Sequence, residues 1–438
     1  MRTSAPHQSL RRLFNVRREE VLPVALAALF FFCVLTALMV LRPARDALGM
    51  QRGIDAVRWL FVGTALVTLA VNPVFGWLVS RFRRFQFIAA TYVFFALSLC
   101  AFWGLLVLAP QAVGTASGQV FYVWFSVFNL CATMLFWALM ADRFTHEQGK
   151  RVFALIAVGG TLGAIFGPWL ASVLANPLGT PALLLVSAAF LIAALWAAWA
   201  VSKQHKDSAA PRPVSSDEHT VIGGSAWQGL RAVFQSSYLL GIAGYVIAMT
   251  IMATLLYFTR LQMVAALGDD VDMRTTLFAR IDLFTQILTL VLQAFIAGRV
   301  MQHLGVSLTL ALLPLTAALG FIGLAMVGTL AALILFEAAF RAIQRALTRP
   351  ARETLYTVVS REDKYKSKAF IDTFGYRGGD VLGAQLEGAL ARLGMGLAGL
   401  LSFAIPLAVV WAALGWWLGR AAAKRQSSVT EIRNDHTT

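Results

Sequence analysis

Two glycine rows decide the fold, because the chain reads GGTLGAIFG over Gly159–Gly167 and GYRGGDVLG over Gly375–Gly383. The glycines that match at a constant offset are Gly159, Gly163 and Gly167 in the first row and Gly375, Gly379 and Gly383 in the second. Small residues four positions apart let two helices approach closely in a membrane. The repeated row therefore indicates two similar halves, each with a tightly packed helix.

Apolar segments of roughly 17–25 residues, long enough to cross a bilayer, recur along the whole chain. The 438 residues are 58% hydrophobic and 13% charged, with a mean hydropathy of +0.70, whereas soluble domains are about 25% charged. The twelve predicted spans are 21–41, 57–79, 86–108, 116–140, 152–174, 180–202, 237–258, 276–298, 306–328, 329–347, 368–390 and 397–419. We predict an all-α membrane protein with twelve transmembrane helices in two pseudo-symmetric six-helix bundles.

The net charge of +15 invites an interpretation as nucleic acid binding, but the positions of the basic residues argue against it. Lys and Arg cluster before span one and after spans two, four, six, ten and twelve, while the connections after spans three, five and nine carry none. Basic residues on alternate loops are typical of the cytoplasmic side. We expect a multi-pass protein of a bacterial inner membrane with both termini in the cytoplasm and no nucleic acid partner.

The longest polar interruption, rich in Pro, Ser and charge, lies between spans six and seven and reads as a flexible linker. The expected organisation is a cytoplasmic segment 1–20, an N-terminal bundle 21–202, a cytoplasmic linker 203–236, a C-terminal bundle 237–419 and a cytoplasmic tail 420–438. Within the linker, Trp227–Phe234 is predicted to form a short helix. The three cysteines all lie inside predicted spans, so no disulfide framework is implied.

Two parallel six-span halves are typical of the major facilitator architecture, whose substrate site lies between the halves near the bilayer midplane. The segment GWLVSRFRR (Gly76–Arg84) also resembles that superfamily's loop motif after span two. Ser80 stands where an Asp is usual and Arg83 where a Gly is usual. The motif is degenerate, so the fold prediction rests mainly on the repeat and the topology.

The second glycine row lies in a span that also holds four ionisable residues, which are Asp372, Arg377, Asp380 and Glu387. Ionisable groups at bilayer depth are costly unless they pair or line a wet cavity. The matched positions of span five are uncharged, so packing of the row does not require these groups. We predict that Arg377 binds substrate and that Asp380 serves coupling or gating.

Leu41–Gly49, LRPARDALG, lies at the outer end of span one, where Pro43 is expected to end or kink the helix. Arg45 is a candidate for binding an anionic substrate because guanidinium recognises phosphate and carboxylate in a multidentate way. Arg58 at the start of span two could join it. Headgroup contact, or an Arg45–Asp46 pair that acts as a gate, is an equally open alternative.

Two further pairs of ionisable residues stand in the second half. Arg280 and Asp282 open span eight and could contact substrate or a coupling proton, or form a pair at the helix end. Glu337, Arg341 and Arg345 are spaced four apart on one face of span ten. Glu337 is the candidate for a cavity residue paired with Arg341, although the whole row could instead be a solvated helix end.

Three blocks of the chain resemble the ATP/ADP translocase (nucleotide transporter) family of plastids and intracellular bacteria. They are Leu41–Gly49, Phe136–Gly163 and Arg349–Asp372, the last of which ends KSKAFID in the family's K-x-K-A-x-I-D pattern. The resemblance implies a role in transport for the positive charge of Arg45. Phe125 stands where the family uses an acidic residue in span four, and Arg377 lies near a family lysine in span eleven. These departures put adenine nucleotide exchange itself in doubt.

We predict a secondary transporter that moves an anionic small molecule, such as a nucleotide or phosphorylated metabolite, by alternating access. The expected substrate-binding residues are Arg45, Arg58, Arg280 and Arg377, and the expected coupling or gating residues are Asp46, Asp282, Glu337 and Asp380. Proton-coupled transport of another organic solute, and a lipid-handling or sensor role, stay open. The sequence contains no P-loop, metal-ligand cluster or nucleophile–base arrangement, so we expect no enzyme activity, cofactor or metal. Membrane lipids are the other expected partners, and we expect a monomer.

Overall fold

The computed structural model describes residues 18–81, 84–109, 114–203, 226–395 and 397–435, and these residues are helical apart from short connections. Ten helices among the described residues are long and apolar enough to cross a membrane. The helices of spans one to six are Val21–Gly49, Ile54–Arg81, Arg84–Leu108, Thr115–Arg143, His146–Leu178 and Ala182–Lys203. The fold class is confirmed as an all-α membrane architecture of twelve helices, which are these ten and the helices of spans ten and eleven given below.

The second half begins with the short helix Ala226–Gln235, as the sequence predicts, and continues with span seven at Ser237–Ala265. Spans eight and nine form Val271–Val327, which is interrupted at Gly305 (φ 67°). Span ten is Leu330–Ile343, continued by Gln344–Leu355; span eleven runs over Arg361–Arg392, and span twelve is Leu397–Asp435. Gly328 (φ 63°) separates spans nine and ten, since only glycine adopts this conformation without strain. Most of the predicted linker and the first 17 residues lie outside the described residues.

The first glycine row brings span five against the backbone of span one. A Cβ atom at Gly159 would contact the carbonyl oxygen of Ala28, and one at Gly163 would contact that of Phe32. A Cβ atom at Gly167 would lie 2.8–3.0 Å from the nearest atoms. The row therefore packs helix on helix, and a side chain at these positions would push the two helices apart.

The second glycine row packs closely against span seven in the same way, except at Gly375. A Cβ atom at Gly383 would lie 2.8 Å from Cβ of Thr254, and one at Gly379 would contact Oγ1 of Thr250. At Gly375 the nearest atom is 3.5 Å away, which is an ordinary contact. Gly375, which ends the π-helical turn Ile371–Gly375, still faces span seven, since its Cβ would lie 3.9 Å from Cγ1 of Val246. The row therefore keeps its face but packs less tightly at this end.

The chain forms two compact units. One unit comprises 1–56, 66–214 and 268–283, and its core contains Phe and Leu side chains of spans one to six. The other comprises 57–65, 215–267 and 284–438, with a core from spans seven to twelve. The predicted bundle boundaries, 21–202 and 237–419, stay a prediction. The three cysteines are free thiols.

Candidate functional site

The second unit contains a cavity of about 600 Å³, which is within the usual range for a small-molecule site, about 300–1,000 Å³. Its lining is mostly polar and comes from spans seven, ten and eleven. The lining residues are Met249, Gln344, Arg345, Thr348, Arg349, Arg352, Asp372, Tyr376, Arg377 and Asp380. Four of these side chains are guanidinium groups and two are carboxylates.

Two π-helical turns build the wall of the cavity. The turn Gln344–Thr348 supplies three lining residues from span ten, and the turn Ile371–Gly375 supplies Asp372 from span eleven. A π-turn inserts one residue into a helix, and such turns occur frequently at functional sites. Both turns therefore contribute residues to the lining of the cavity.

Arg352 is the most enclosed charge of the wall, with its side chain only 6% exposed. It donates a hydrogen bond to the hydroxyl oxygen of Tyr376 at 2.6 Å and lies 3.3 Å from a carboxylate oxygen of Asp372. The Tyr376 hydroxyl and the Asp372 carboxylate therefore hold the guanidinium of Arg352 from two sides.

The other arginines of the wall are more accessible. Arg377 lies 3.7 Å from Asp380 one turn along span eleven, and both side chains are about one-third exposed (34% and 30%). Arg345 donates to the amide oxygen of Gln286 at 3.2 Å, and Arg349 is exposed. Guanidinium groups that converge on one cavity can bind the oxygens of a phosphate or carboxylate through several charge-assisted hydrogen bonds.

Glu337 lies in a separate, buried ionic cluster of the same unit. The predicted contact with Arg341 is present, and Arg260 from span seven also lies 3.4 Å from the same carboxylate oxygen. Arg260 is fully buried and Glu337 is 5% exposed. This cluster joins spans seven and ten, so the alternative that Glu337 sits at a solvated helix end is wrong.

Arg58 forms a two-pronged ion pair with Glu387. Its Nε donates to Oε2 at 2.6 Å and its Nη2 donates to Oε1 at 3.1 Å. Gln262 of span seven donates to the same Oε1 at 2.7 Å. Because the arginine and the carboxylate are both buried, this arrangement fixes the first turns of span two against span eleven.

In the first unit, the helix of span one does not end at Pro43 but continues to Gly49. Arg45 donates to Asp46 at 2.8 Å, and Asp46 is fully buried. The guanidinium carbon of Arg45 also lies 4.7 Å from the ring centre of Tyr122 and 5.2 Å from that of Phe125. Both aromatic rings therefore add to the stabilisation of the cation by Asp46.

Span eight places its two predicted residues differently. Asp282 is 1% exposed and lies 3.6 Å from Nε of Arg42, in the same unit. Arg280 is exposed. The two side chains therefore differ in burial, although the sequence places them two positions apart, and their assignment stays a prediction.

Of the eight predicted site residues, Arg377 and Asp380 line the cavity. Sequence reasoning missed Arg349 and Arg352, which it counted only as basic residues of a cytoplasmic loop. A signal was present, because Arg345, Arg349 and Arg352 are spaced four and three apart and so share one helical face. Gln344 and Thr348 lie in the π-turn, for which the sequence offers no comparable sign.

Known proteins resemble the chain in family and fold. The sequence model of the Major Facilitator Superfamily matches residues 22–343. The solved structure of the nucleoside transporter NupG has a TM-score of 0.65 at 12% identity, covering 92% of this chain and 99% of its own. The POT family transporter PepTSo has a TM-score of 0.63 at 14% identity, covering 92% and 98%.

A bacterial homologue of the human lysosomal transporter Spinster, in an inward-facing and unoccupied conformation, has a TM-score of 0.57 at 12% identity, covering 97% of this chain and 99% of its own. At such identities the structural likeness concerns the fold alone. No curated protein matches the chain.

Proposed function

The chain belongs to the Major Facilitator Superfamily, whose members are secondary transporters built from two six-helix halves, and we propose that it carries an anionic small molecule by alternating access. One observation carries the anionic class: four arginines line a single cavity of small-molecule size. Several guanidinium groups around one cavity suit an anionic ligand, because its oxygens can accept charge-assisted hydrogen bonds from more than one of them.

The contacts of Arg352 support a site that is held ready for its ligand. Its guanidinium is positioned from two sides, by the Tyr376 hydroxyl and by Asp372. A charge that is fixed before binding loses little conformational entropy when the ligand arrives. Arg352 therefore suits the role of an anchor, and the more exposed Arg349 suits the role of a first contact.

We also propose that the chain is a distant branch of the ATP/ADP translocase family. The third resembling block, Arg349–Asp372, supplies Arg349, Arg352 and Asp372 to the cavity wall. The segment that resembles this family thus also contributes charged side chains to the candidate site. We keep nucleotides and other phosphorylated metabolites as the starting panel of substrates.

The remaining assignments are proposals of the same kind. Asp380 is proposed as a coupling group because it shares the cavity with Arg377. Glu337, Asp46 and Asp282 are proposed as gating groups, since each is buried beside an arginine. Arg45, Arg58 and Arg280 are proposed to act along the substrate path. We also propose that the protein is a monomer in a bacterial inner membrane, with both termini in the cytoplasm.

Counterflow into proteoliposomes tests the anionic class. The purified full-length protein is reconstituted, the vesicles are loaded with one unlabelled anion, and uptake of labelled phosphate, glycerol phosphate, succinate, ADP or ATP is measured. We expect saturable uptake of at least one anion, reduced at least about tenfold, or about 1.4 kcal/mol, by Arg352→Gln and Arg349→Gln. Arg231→Gln removes an exposed charge outside the cavity and should leave uptake unchanged.

The use of two cavity variants allows a loss of substrate binding to be distinguished from misfolding. Arg352 is buried, so its substitution could disturb the fold, whereas Arg349 is exposed and its substitution should not. Elution of each variant as a single species in size-exclusion chromatography verifies the fold. Folded protein without saturable uptake of any anion would overturn the proposal.

A further inference from the structure

The phenol of Tyr376 is held by Arg352 in the wall of the cavity. Nη1 of Arg352 donates a hydrogen bond to the hydroxyl oxygen at 2.6 Å, and the guanidinium carbon lies 5.4 Å from the centre of the ring. The arginine therefore holds the tyrosine at two points, its oxygen and its ring. Tyr376 lines the cavity and is partly exposed, so its side chain is held at a surface that a ligand can reach.

The hydroxyl proton of Tyr376 goes to no acceptor among the described residues. A phenol can accept and donate a hydrogen bond at the same time. Here the oxygen accepts from Arg352, and no residue in the described part of the chain accepts the proton. Oδ1 of Asp372, which lies beside Arg352, likewise has no hydrogen-bond partner there. The donor of Tyr376 is therefore available to a ligand in the cavity.

Contact with the arginine makes this donor stronger. Hydrogen bonds that form a chain polarise one another, and the bond from Arg352 to the phenol is charge-assisted. The hydroxyl group of Tyr376 is therefore a better donor than that of an isolated tyrosine. The acceptor that gains most from such a donor is an anionic oxygen, because charge-assisted hydrogen bonds are about twice as strong as neutral ones.

The burial of Arg352 also favours contact through the tyrosine. The side chain of Arg352 is 6% exposed, so little of its surface can meet a ligand directly. Nη1 is engaged with Tyr376, and Nη2 lies 3.3 Å from Asp372. A ligand at this wall therefore meets the partly exposed phenol more readily than the buried guanidinium.

We infer that Tyr376 is a substrate-binding residue, whose hydroxyl group donates a hydrogen bond to an anionic oxygen of the cargo while Arg352 orients and polarises it. The inference rests on the proposed function, because it assigns a further contact to the anion in the same cavity. Arg352 then acts on the cargo through the tyrosine as well as by its charge. The cavity thus combines a neutral donor with its guanidinium groups.

Removal of the hydroxyl group alone tests the contact. The purified full-length protein is titrated with phosphate, glycerol phosphate, succinate, ADP and ATP in a calorimeter, and dissociation constants are compared between the wild type and Tyr376→Phe. Hydrogen bonds to charged groups are the stronger class. We therefore expect Tyr376→Phe to weaken binding of the best anion at least about tenfold, equivalent to about 1.4 kcal/mol.

Tyr356→Phe is the matched control. Tyr356 follows Arg352 by four positions, but it is fully buried and lies outside the described lining of the cavity. Its hydroxyl oxygen has no hydrogen-bond partner among the described residues, so its removal leaves no partner unsatisfied there. The affinity for the same anion should be unchanged in this variant.

A second variant separates donation to the anion from support of Arg352. Tyr376→Phe also removes the acceptor of the Arg352 hydrogen bond, so a displaced guanidinium could by itself weaken binding. Replacement of Tyr376 by fluorotyrosine keeps the ring and the hydroxyl group, but the more acidic phenol is a stronger donor and a weaker acceptor. At slightly acidic pH, where the phenol keeps its proton, the affinity should rise about twofold if Tyr376 donates to the anion.

The outcomes separate the two proposals. An unchanged affinity in folded Tyr376→Phe overturns the role of the tyrosine and leaves anion transport standing. An affinity that falls or stays the same in the fluorotyrosine variant has the same meaning, because the tyrosine would then only support Arg352. This nearly isosteric variant also decides the matter if Tyr376→Phe does not fold. Failure of every anion of the panel to bind folded wild-type protein overturns the proposed function itself and this role with it.

Discussion

Two adjacent glycines of span eleven should respond oppositely to the same substitution. Gly379 faces span seven, where an added Cβ would contact Oγ1 of Thr250 and lie 3.1 Å from the carbonyl oxygen of Ile247. Gly378 is exposed, and an added Cβ there would meet nothing within 4 Å. Gly379→Ala should therefore destabilise the protein, while Gly378→Ala should be neutral or stabilising.

The magnitude follows from comparing the two variants with each other. Replacement of glycine by alanine within a helix is worth about 0.5–1 kcal/mol in either variant, so this contribution cancels in the difference. What remains is the cost of overpacking at Gly379, about 1–3 kcal/mol. With about 3 °C of melting temperature per kcal/mol for a large domain, the middle of that range corresponds to a gap of about 6 °C.

Thermal unfolding of both variants in the same detergent measures the gap. Adding Thr250→Ala to Gly379→Ala removes the hydroxyl that the new methyl group contacts, and should recover part of the loss as a coupling energy in a double-mutant cycle. Equal melting temperatures for Gly378→Ala and Gly379→Ala would refute the close approach of the two helices.

Three further substitutions have effects that the same unfolding assay can check. Glu387→Ala leaves Arg58 buried without its carboxylate and should lower the free energy of unfolding by about 3–5 kcal/mol, whereas replacing both residues by leucine should recover most of that loss. Equal losses of stability in the single and double variants would contradict the pairing. Gly159→Ala presses on the backbone of span one and should lower the melting temperature more than Gly375→Ala, which makes ordinary contacts; the reverse order would show that the first row is not the tighter one. Thr145→Ala removes the capping box at the start of span five and should cost about 1 kcal/mol, while an unchanged melting temperature would mean that the cap contributes nothing.

The fold could be predicted because its signals are local and repeated. Spans of apolar residues, glycines four apart and basic residues on alternate loops each reflect a requirement of the bilayer that any twelve-helix chain must meet. The predicted spans nine and ten, 306–328 and 329–347, follow each other without a gap, and Gly328, whose positive φ ends one helix before the next begins, separates them.

The candidate site was predictable only in part because it depends on helix phase. Counting at 100° per residue places Asp372 on one face with Gly375 and Gly379, but the π-turn Ile371–Gly375 breaks that count for Asp372. The arginines after span ten looked like loop residues, because positive charge next to a span usually marks the cytoplasmic side. Arg352 lies instead in a buried wall, held by a tyrosine and a carboxylate that are distant in the sequence.

The π-turn of span eleven has a consequence for how such a cavity can change over evolutionary time. The turn Ile371–Gly375 contains one residue more than a regular helical turn, and it precedes the glycines that pack on span seven. Deletion of a single codon there would restore a regular helix and swing Asp372 away from its present direction, while Gly379 and Gly383 could keep their places. A gain or loss of one codon, rather than a series of substitutions, is thus expected to change which side chains of span eleven face the cavity.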